Sequence, residues 1–135
     1  MKKLIFTTVF VLFTIIAFAQ KKNYQLSSHI LDVSKGIPVS GVTIKLEIYN
    51  EKTKIWKLVD ERVTDENGRI VDFLSSEKNN KGIYKLTYYT SEYFKSNNTD
   101  SFYPFIEVVF EIKDENHYHV PITLSAYGYS TYRGN

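Results

Sequence analysis

The sequence predicts an all-β fold: a sandwich of two sheets made from seven to eight short strands, with one short helix. Three observations carry that expectation. Apolar and polar residues alternate with a period of two over several segments, the mark of strands with one buried face. Turn residues interrupt the alternation at short intervals, as in a sandwich. Only one stretch reads as helical. With 43% hydrophobic and 24% charged residues among 135, the chain is globular and large enough for one domain with a modest core.

The elements follow in chain order. Gln25–Val33 predicts a first strand, with Leu26, Ser28 and Ile30 on one face and Ser27, His29 and Leu31 on the other. Lys35-Gly36-Ile37-Pro38 and Ser40-Gly41 close the first connection. In the next strand Val42, Ile44, Leu46 and Ile48 alternate with Thr43, Lys45, Glu47 and Tyr49. A weaker strand spans Ile55–Thr64 and ends at Asp65-Glu66-Asn67-Gly68, where an Asn-Gly pair tolerates positive φ. Another is expected over Gly82–Thr90, after the loop Lys78-Asn79-Asn80-Lys81-Gly82. Ser91 to Asn97 reads as the helix, with Ser91 at its N-cap. Ile106, Val108, Phe110 and Ile112 form one further apolar stripe, and Tyr118, Val120, Ile122 and Leu124 another. Tyr127–Arg133 is the last strand. Internal repeats and low-complexity segments are absent from the sequence.

Residues 1–19 have the pattern of a signal peptide. Met1-Lys2-Lys3 is a cationic start, Leu4 to Ala19 is apolar apart from three threonines, and Ala17-Phe18-Ala19 places small residues before Gln20. The apolar run is shorter than the roughly 20 residues that cross a bilayer. The expectation is export to the periplasm or the medium, with residues 20–135 as the mature sandwich domain and no membrane attachment after cleavage. Without Lys2 and Lys3 the chain carries 15 basic and 15 acidic residues, so it lacks the positive footprint of a nucleic-acid binder. Its lack of cysteine excludes disulfides, a thiolate nucleophile, and Cys-ligated zinc or iron–sulfur sites.

The three histidines are His29, His117 and His119. Since residues two apart in a strand share a face, His117 and His119 lie with Pro121, Thr123 and Ser125, opposite the aliphatic stripe. The stripe must face the core, so the imidazoles project outward, roughly 7 Å apart by the strand rise. His29 is on the outer face of its own strand. Three readings are open at this point. The histidines are surface decoration; or a His-x-His with a third histidine holds a metal with an open position; or they do metal-free acid–base chemistry near neutral pH.

Longer motifs narrow the choice. Leu26-Ser-Ser-His-Ile-Leu-Asp-Val-Ser-Lys-Gly-Ile-Pro-Val-Ser-Gly-Val42, Thr64-Asp-Glu-Asn-Gly-Arg69, and Tyr93-Phe-Lys followed by Phe102-Tyr-Pro104 occur in order. The chain closes with His117-Tyr-His-Val-Pro-Ile-Thr-Leu-Ser-Ala-Tyr-Gly-Tyr-Ser-Thr-Tyr-Arg-Gly-Asn135. Together they resemble the transthyretin-related 5-hydroxyisourate hydrolases over essentially the whole mature chain. The front motifs also resemble prealbumin-like and carboxypeptidase-regulatory-like domains that bind or scaffold. The C-terminal run resembles the hydrolases, and not the hormone-carrying transthyretins, which lack the active-site histidines.

The resemblance implies a transthyretin-like (prealbumin-like) sandwich that opens the ring of 5-hydroxyisourate to 2-oxo-4-hydroxy-4-carboxy-5-ureidoimidazoline without a cofactor or metal. It implies a small purine-derived substrate and a homotetramer with active sites where two dimers meet. Carried over by position, His29, Arg69 and His119 are catalytic, and His29, Arg69 and Tyr132 bind substrate. His117 and Asn135 are secondary candidates. Asn135 stands where the family usually ends in serine, which exchanges a hydroxyl for an amide that still donates and accepts hydrogen bonds. The competing expectation is an exported transthyretin-like module that binds a small ligand or a partner without chemistry. Convergence of His29, Arg69, His119 and Tyr132 on one pocket separates the two.

Overall fold

A computed structural model describes residues 23–134. The expected signal peptide and Asn135 lie outside the described residues. The strands are β1 (Tyr24–Asp32), β2 (Ile37–Pro38), β3 (Thr43–Asn50), β4 (Ile55–Val63), β5 (Arg69–Ser75), β6 (Gly82–Tyr88), β7 (Ile106–Ile112), β8 (Tyr118–Ser125) and β9 (Gly128–Thr131), with helix α1 (Ser91–Ser96) after β6. They form two sheets. One runs β2-β1-β8-β9 with β5 also paired to β1, and the other runs β4-β3-β6-β7. This is the expected two-layer sandwich with one short helix.

The period-two stripes supply its core. Leu26 and Ile30 of β1, Ile44 and Leu46 of β3, Leu86 and Tyr88 of β6, and Ile122 and Leu124 of β8 are each fully buried between the sheets. Each aliphatic side chain removed from water in this way contributes about 1.5–3 kcal/mol. Two polar groups inside are satisfied: the Ser28 hydroxyl and the Tyr88 phenol are 2.9 Å apart, and both donate to the Val120 carbonyl. Burial pushes the Tyr88 phenol pKa well above its ordinary value. The outer face of the second sheet is a charged lattice, with Lys85 Nζ reaching Glu47 at 3.2 Å and Glu107 at 3.4 Å. The first sheet's outer face carries the histidines instead.

Strand β5 departs from the sequence reading, which placed no strand there. Its pairing with β1 shifts register between Leu26↔Phe73 and Ser28↔Ile70, so β5 holds one extra residue. Ile70 and Phe73 are both buried although three positions apart, and this bulge erases the period-two signal. The helix also differs at its start: Thr90 is the N-cap position and makes no side-chain cap bond, whereas Ser91 lies inside the helix and donates to the Pro104 carbonyl. Asp32 anchors that helix to the end of β1, accepting a hydrogen bond of 2.7 Å from the Tyr93 phenol.

Candidate active site on the outer face of the first sheet

Of the three strands paired with β1, β8 and β5 determine which side chains meet. On one side β8 runs parallel to β1, with Ser27 opposite His119 and His29 opposite Pro121. On the other side β5 runs antiparallel, with His29 opposite Arg69. Arg69, His29 and His119 therefore lie across three adjacent strands on one face. His29 and His119 are diagonal neighbours, about 8 Å apart along the backbone from the interstrand spacing and a rise of two residues.

The turn before Arg69 sets its position. The Asp65 carboxylate accepts from the backbone N–H of Asn67 and of Arg69, each at 2.9 Å. Gly68 sits where the free edge of β1 passes from β5 to β2, and its carbonyl accepts from Ile30 N–H at 2.9 Å. Its φ is +69°, and a Cβ there would lie 2.7 Å from the Ile30 carbonyl oxygen and 2.8 Å from the Val39 nitrogen. Only glycine fits both the conformation and the space. The Asn-Gly turn thus joins the two sheets, since β4 belongs to one and β5 to the other, and it delivers Arg69 directly beside His29.

The C-terminal tail closes the other side. Pairing of β9 with β8 ends at Ile122↔Thr131 and resumes as a single bridge, His119↔Gly134, in the same register. Pro121 explains the gap, because it has no N–H to offer the returning strand. The Thr131 hydroxyl donates instead to the Pro121 carbonyl at 2.9 Å, and Gly134 N–H donates to the His119 carbonyl at 2.9 Å. Tyr132 remains 59% exposed at the pocket rim. Arg133 leaves this face and stacks over the Tyr118 ring at 4.4 Å, which gives it a packing role.

Ser27, Arg69, His117, His119, Tyr132 and Gly134 line one open pocket of about 460 Å³. His29 adjoins it as the cross-strand partner of Arg69. Of the four residues named from the sequence, Arg69, His119 and Tyr132 line the pocket and His29 lies beside it. His117, the secondary candidate, is there as well. Sequence reasoning missed Ser27, which it placed on the correct face without a role. Its hydroxyl lies 2.9 Å from His117 Nε2 and 2.8 Å from His119 Nδ1. The only available signal was its parity with His29, and that parity does not identify a strand partner.

Electrostatics favour neutral imidazoles here. His119 has a pKa below the usual histidine value, first through burial, then through the Arg69 guanidinium and the other two histidines. His29 is also lowered, by burial and then by Arg69, against opposing effects of a backbone hydrogen bond at Asn67 and of Asp65. Both therefore keep a basic nitrogen at neutral pH. Among the described residues, no three His, Asp or Glu side chains gather in a metal-holding arrangement.

Gly134 controls the His119 ring. A Cβ on Gly134 would lie 2.6 Å from His119 Cδ2 and 3.2 Å from Cγ. We predict that Gly134→Ala swings the ring off Ser27 and lowers kcat by about 10²-fold, the effect of roughly a 1 Å misplacement. The urea midpoint should stay near wild type because the core stripe is untouched. Unchanged kcat would mean that the ring position is not critical.

The model of the HIUase/Transthyretin family matches residues 26–134. A probable 5-hydroxyisourate hydrolase of Caenorhabditis elegans is 46% identical over 112 residues, covering 82% of this chain and 81% of that protein. The 5-hydroxyisourate hydrolase of Salmonella dublin is 43% identical over 114 residues, covering 84% and 82%. Among solved structures, Klebsiella pneumoniae 5-hydroxyisourate hydrolase is 35% identical with a TM-score of 0.70, over 82% of this chain and 98% of that one. The match runs through both histidine strands, the turn that carries Arg69 and the tail that returns to His119, and by it this chain belongs to the HIUase/Transthyretin family.

Proposed function

We propose that this chain is a 5-hydroxyisourate hydrolase of urate degradation, opening the substrate ring to 2-oxo-4-hydroxy-4-carboxy-5-ureidoimidazoline. The observation that carries the reading is the meeting of His29, Arg69, His119 and Tyr132 on one face of the first sheet, in a chain 43% identical to the Salmonella dublin enzyme of that name. A site built only to hold a ligand has no need of two imidazoles kept neutral beside a guanidinium.

The chemistry follows from the side chains. Hydrolysis requires water to lose a proton as its oxygen attacks the cyclic acyl carbon, stabilisation of the resulting oxyanion, and a proton for the departing nitrogen. His119, with its lowered pKa, takes the proton from water, and His29 orients that water from the neighbouring strand. Arg69 presents its planar fork to the substrate's oxygens and stabilises the oxyanion. His119, now protonated, gives its proton to the nitrogen as the C–N bond breaks. Tyr132 packs against the flat ring at the rim.

The reading includes export, supported by the n-region, apolar run and Ala17-Phe18-Ala19 of the leader. It also includes a homotetramer assembled through the open face of the first sheet, where Val71 and Tyr132 are each 59% exposed. The experiment follows absorbance decay of freshly generated 5-hydroxyisourate with and without purified residues 20–135, and runs sedimentation velocity on the same sample. Acceleration that persists after chelator treatment supports the metal-free reading. Decay at the spontaneous rate removes the enzyme, and loss restored only by zinc moves the histidines to a metal role.

A further inference from the structure

We propose that Ser27 and His117 act as positioning residues that hold His119 in its Nδ1–H tautomer, leaving the Nε2 lone pair free for catalysis. The inference rests on the hydrolase reading for its consequence, but its geometry stands independently. His117 Nδ1 lies 3.0 Å from the Tyr24 carbonyl oxygen. A carbonyl has no proton to give, so His117 Nδ1 carries one. In the neutral ring Nε2 is then bare and must accept, and the donor 2.9 Å away is the Ser27 hydroxyl. A hydroxyl has one proton. Toward His119 Nδ1, at 2.8 Å, Ser27 therefore offers only a lone pair. His119 Nδ1 must donate, and its Nε2 is left bare.

The order imposed along Tyr24, His117, Ser27 and His119 opposes the preference of a neutral histidine side chain, which in water carries its proton mainly on Nε2. Which ring nitrogen holds the proton is determined by the bond that the other one makes. Ser27 is only 8% exposed, so bulk water does not readily replace its hydroxyl. Among the described residues His119 Nε2 has no hydrogen-bond partner, while the Cδ2 edge of the ring packs against Gly134. The free nitrogen is thus available to a water in the pocket shared with Arg69 and Tyr132.

The test combines ring ¹⁵N NMR of the mature protein, without substrate, with kinetics. The wild type should show His119 protonated at Nδ1, and Ser27→Ala should move it toward Nε2–H and lower kcat by about 10–100-fold, as loss of an orienting partner does. Ser27→Thr, which keeps the hydroxyl, should restore the tautomer and most of the rate. His117→Ala frees the Ser27 proton for His119 and should cost a similar factor, with the double variant no worse than either single one. A wild-type His119 protonated at Nε2, or Ser27→Ala with unchanged tautomer and kcat, overturns the proposal. The expected tautomer in a protein that does not hydrolyse 5-hydroxyisourate would instead overturn the hydrolase reading and leave the relay standing.

Discussion

His119→Ala should lower kcat for 5-hydroxyisourate by about 10²–10⁴-fold, the range for a positioned acid–base group, while the sandwich stays folded. The side chain is on the outer face of β8, opposite the buried stripe of Tyr118, Val120, Ile122 and Leu124. Truncation opens no cavity between the sheets, and the backbone bond from Gly134 N–H to the His119 carbonyl does not involve the ring. Only the pocket changes. The activating nitrogen disappears, and Ser27 keeps one of its two imidazole partners. Rapid-mixing absorbance kinetics measures the rate, while far-UV circular dichroism and a urea midpoint confirm the fold. A rate within a few-fold of wild type would remove His119 from the chemistry and pass the role of base to His29 or His117.

Arg69→Gln is expected to cost about 10²–10³-fold in kcat, the loss seen when a group that stabilises an oxyanion is removed, and to shift the pH profile as well. The guanidinium lowers the pKa of both His29 and His119. In the wild type the acidic limb of kcat/KM should therefore lie below 6.5, the ordinary histidine value from which both rings are lowered. Without Arg69 both rings hold protons more tightly, so the limb moves to higher pH. Arg69→Lys separates the two contributions. It restores the charge and hence the limb, but its single ammonium cannot reproduce the bidentate fork, so the rate recovers only in part. An unmoved limb in Arg69→Gln would show that the field of Arg69 does not reach the imidazoles.

The same depressed pKa values affect stability. Below pH 6.5 the unfolded chain binds protons at His29 and His119 that the folded chain resists, so acidification through that region costs stability. The loss stops growing once the pH falls below the folded values.

Much of this protein was legible from residue order. The stripes of β1, β3, β7 and β8 each announced a strand and its buried face, because side-chain direction in a strand depends only on parity. The same parity placed His29, His117 and His119 outside the core, and the long motifs named the residues that converge. Where parity failed, the cause was local. The extra residue in β5 set Ile70 and Phe73 three apart and hid the strand that carries Arg69. At the helix, Ser91 has the chemistry of an N-cap, but its hydroxyl goes to the Pro104 carbonyl, a partner thirteen residues away.

The sequence by itself determined which residues face outward and which chemistry they bring. Only the tertiary structure decided who meets whom: that β8 lies parallel to β1 with Ser27 opposite His119, that β5 sets Arg69 opposite His29, and that Gly134 returns to brace the His119 ring. The physical reason is that face is a property of a single strand, whereas register is a property of a pair. It is set by turns, a bulge and a proline that lacks an N–H, each acting through a partner far away in the chain.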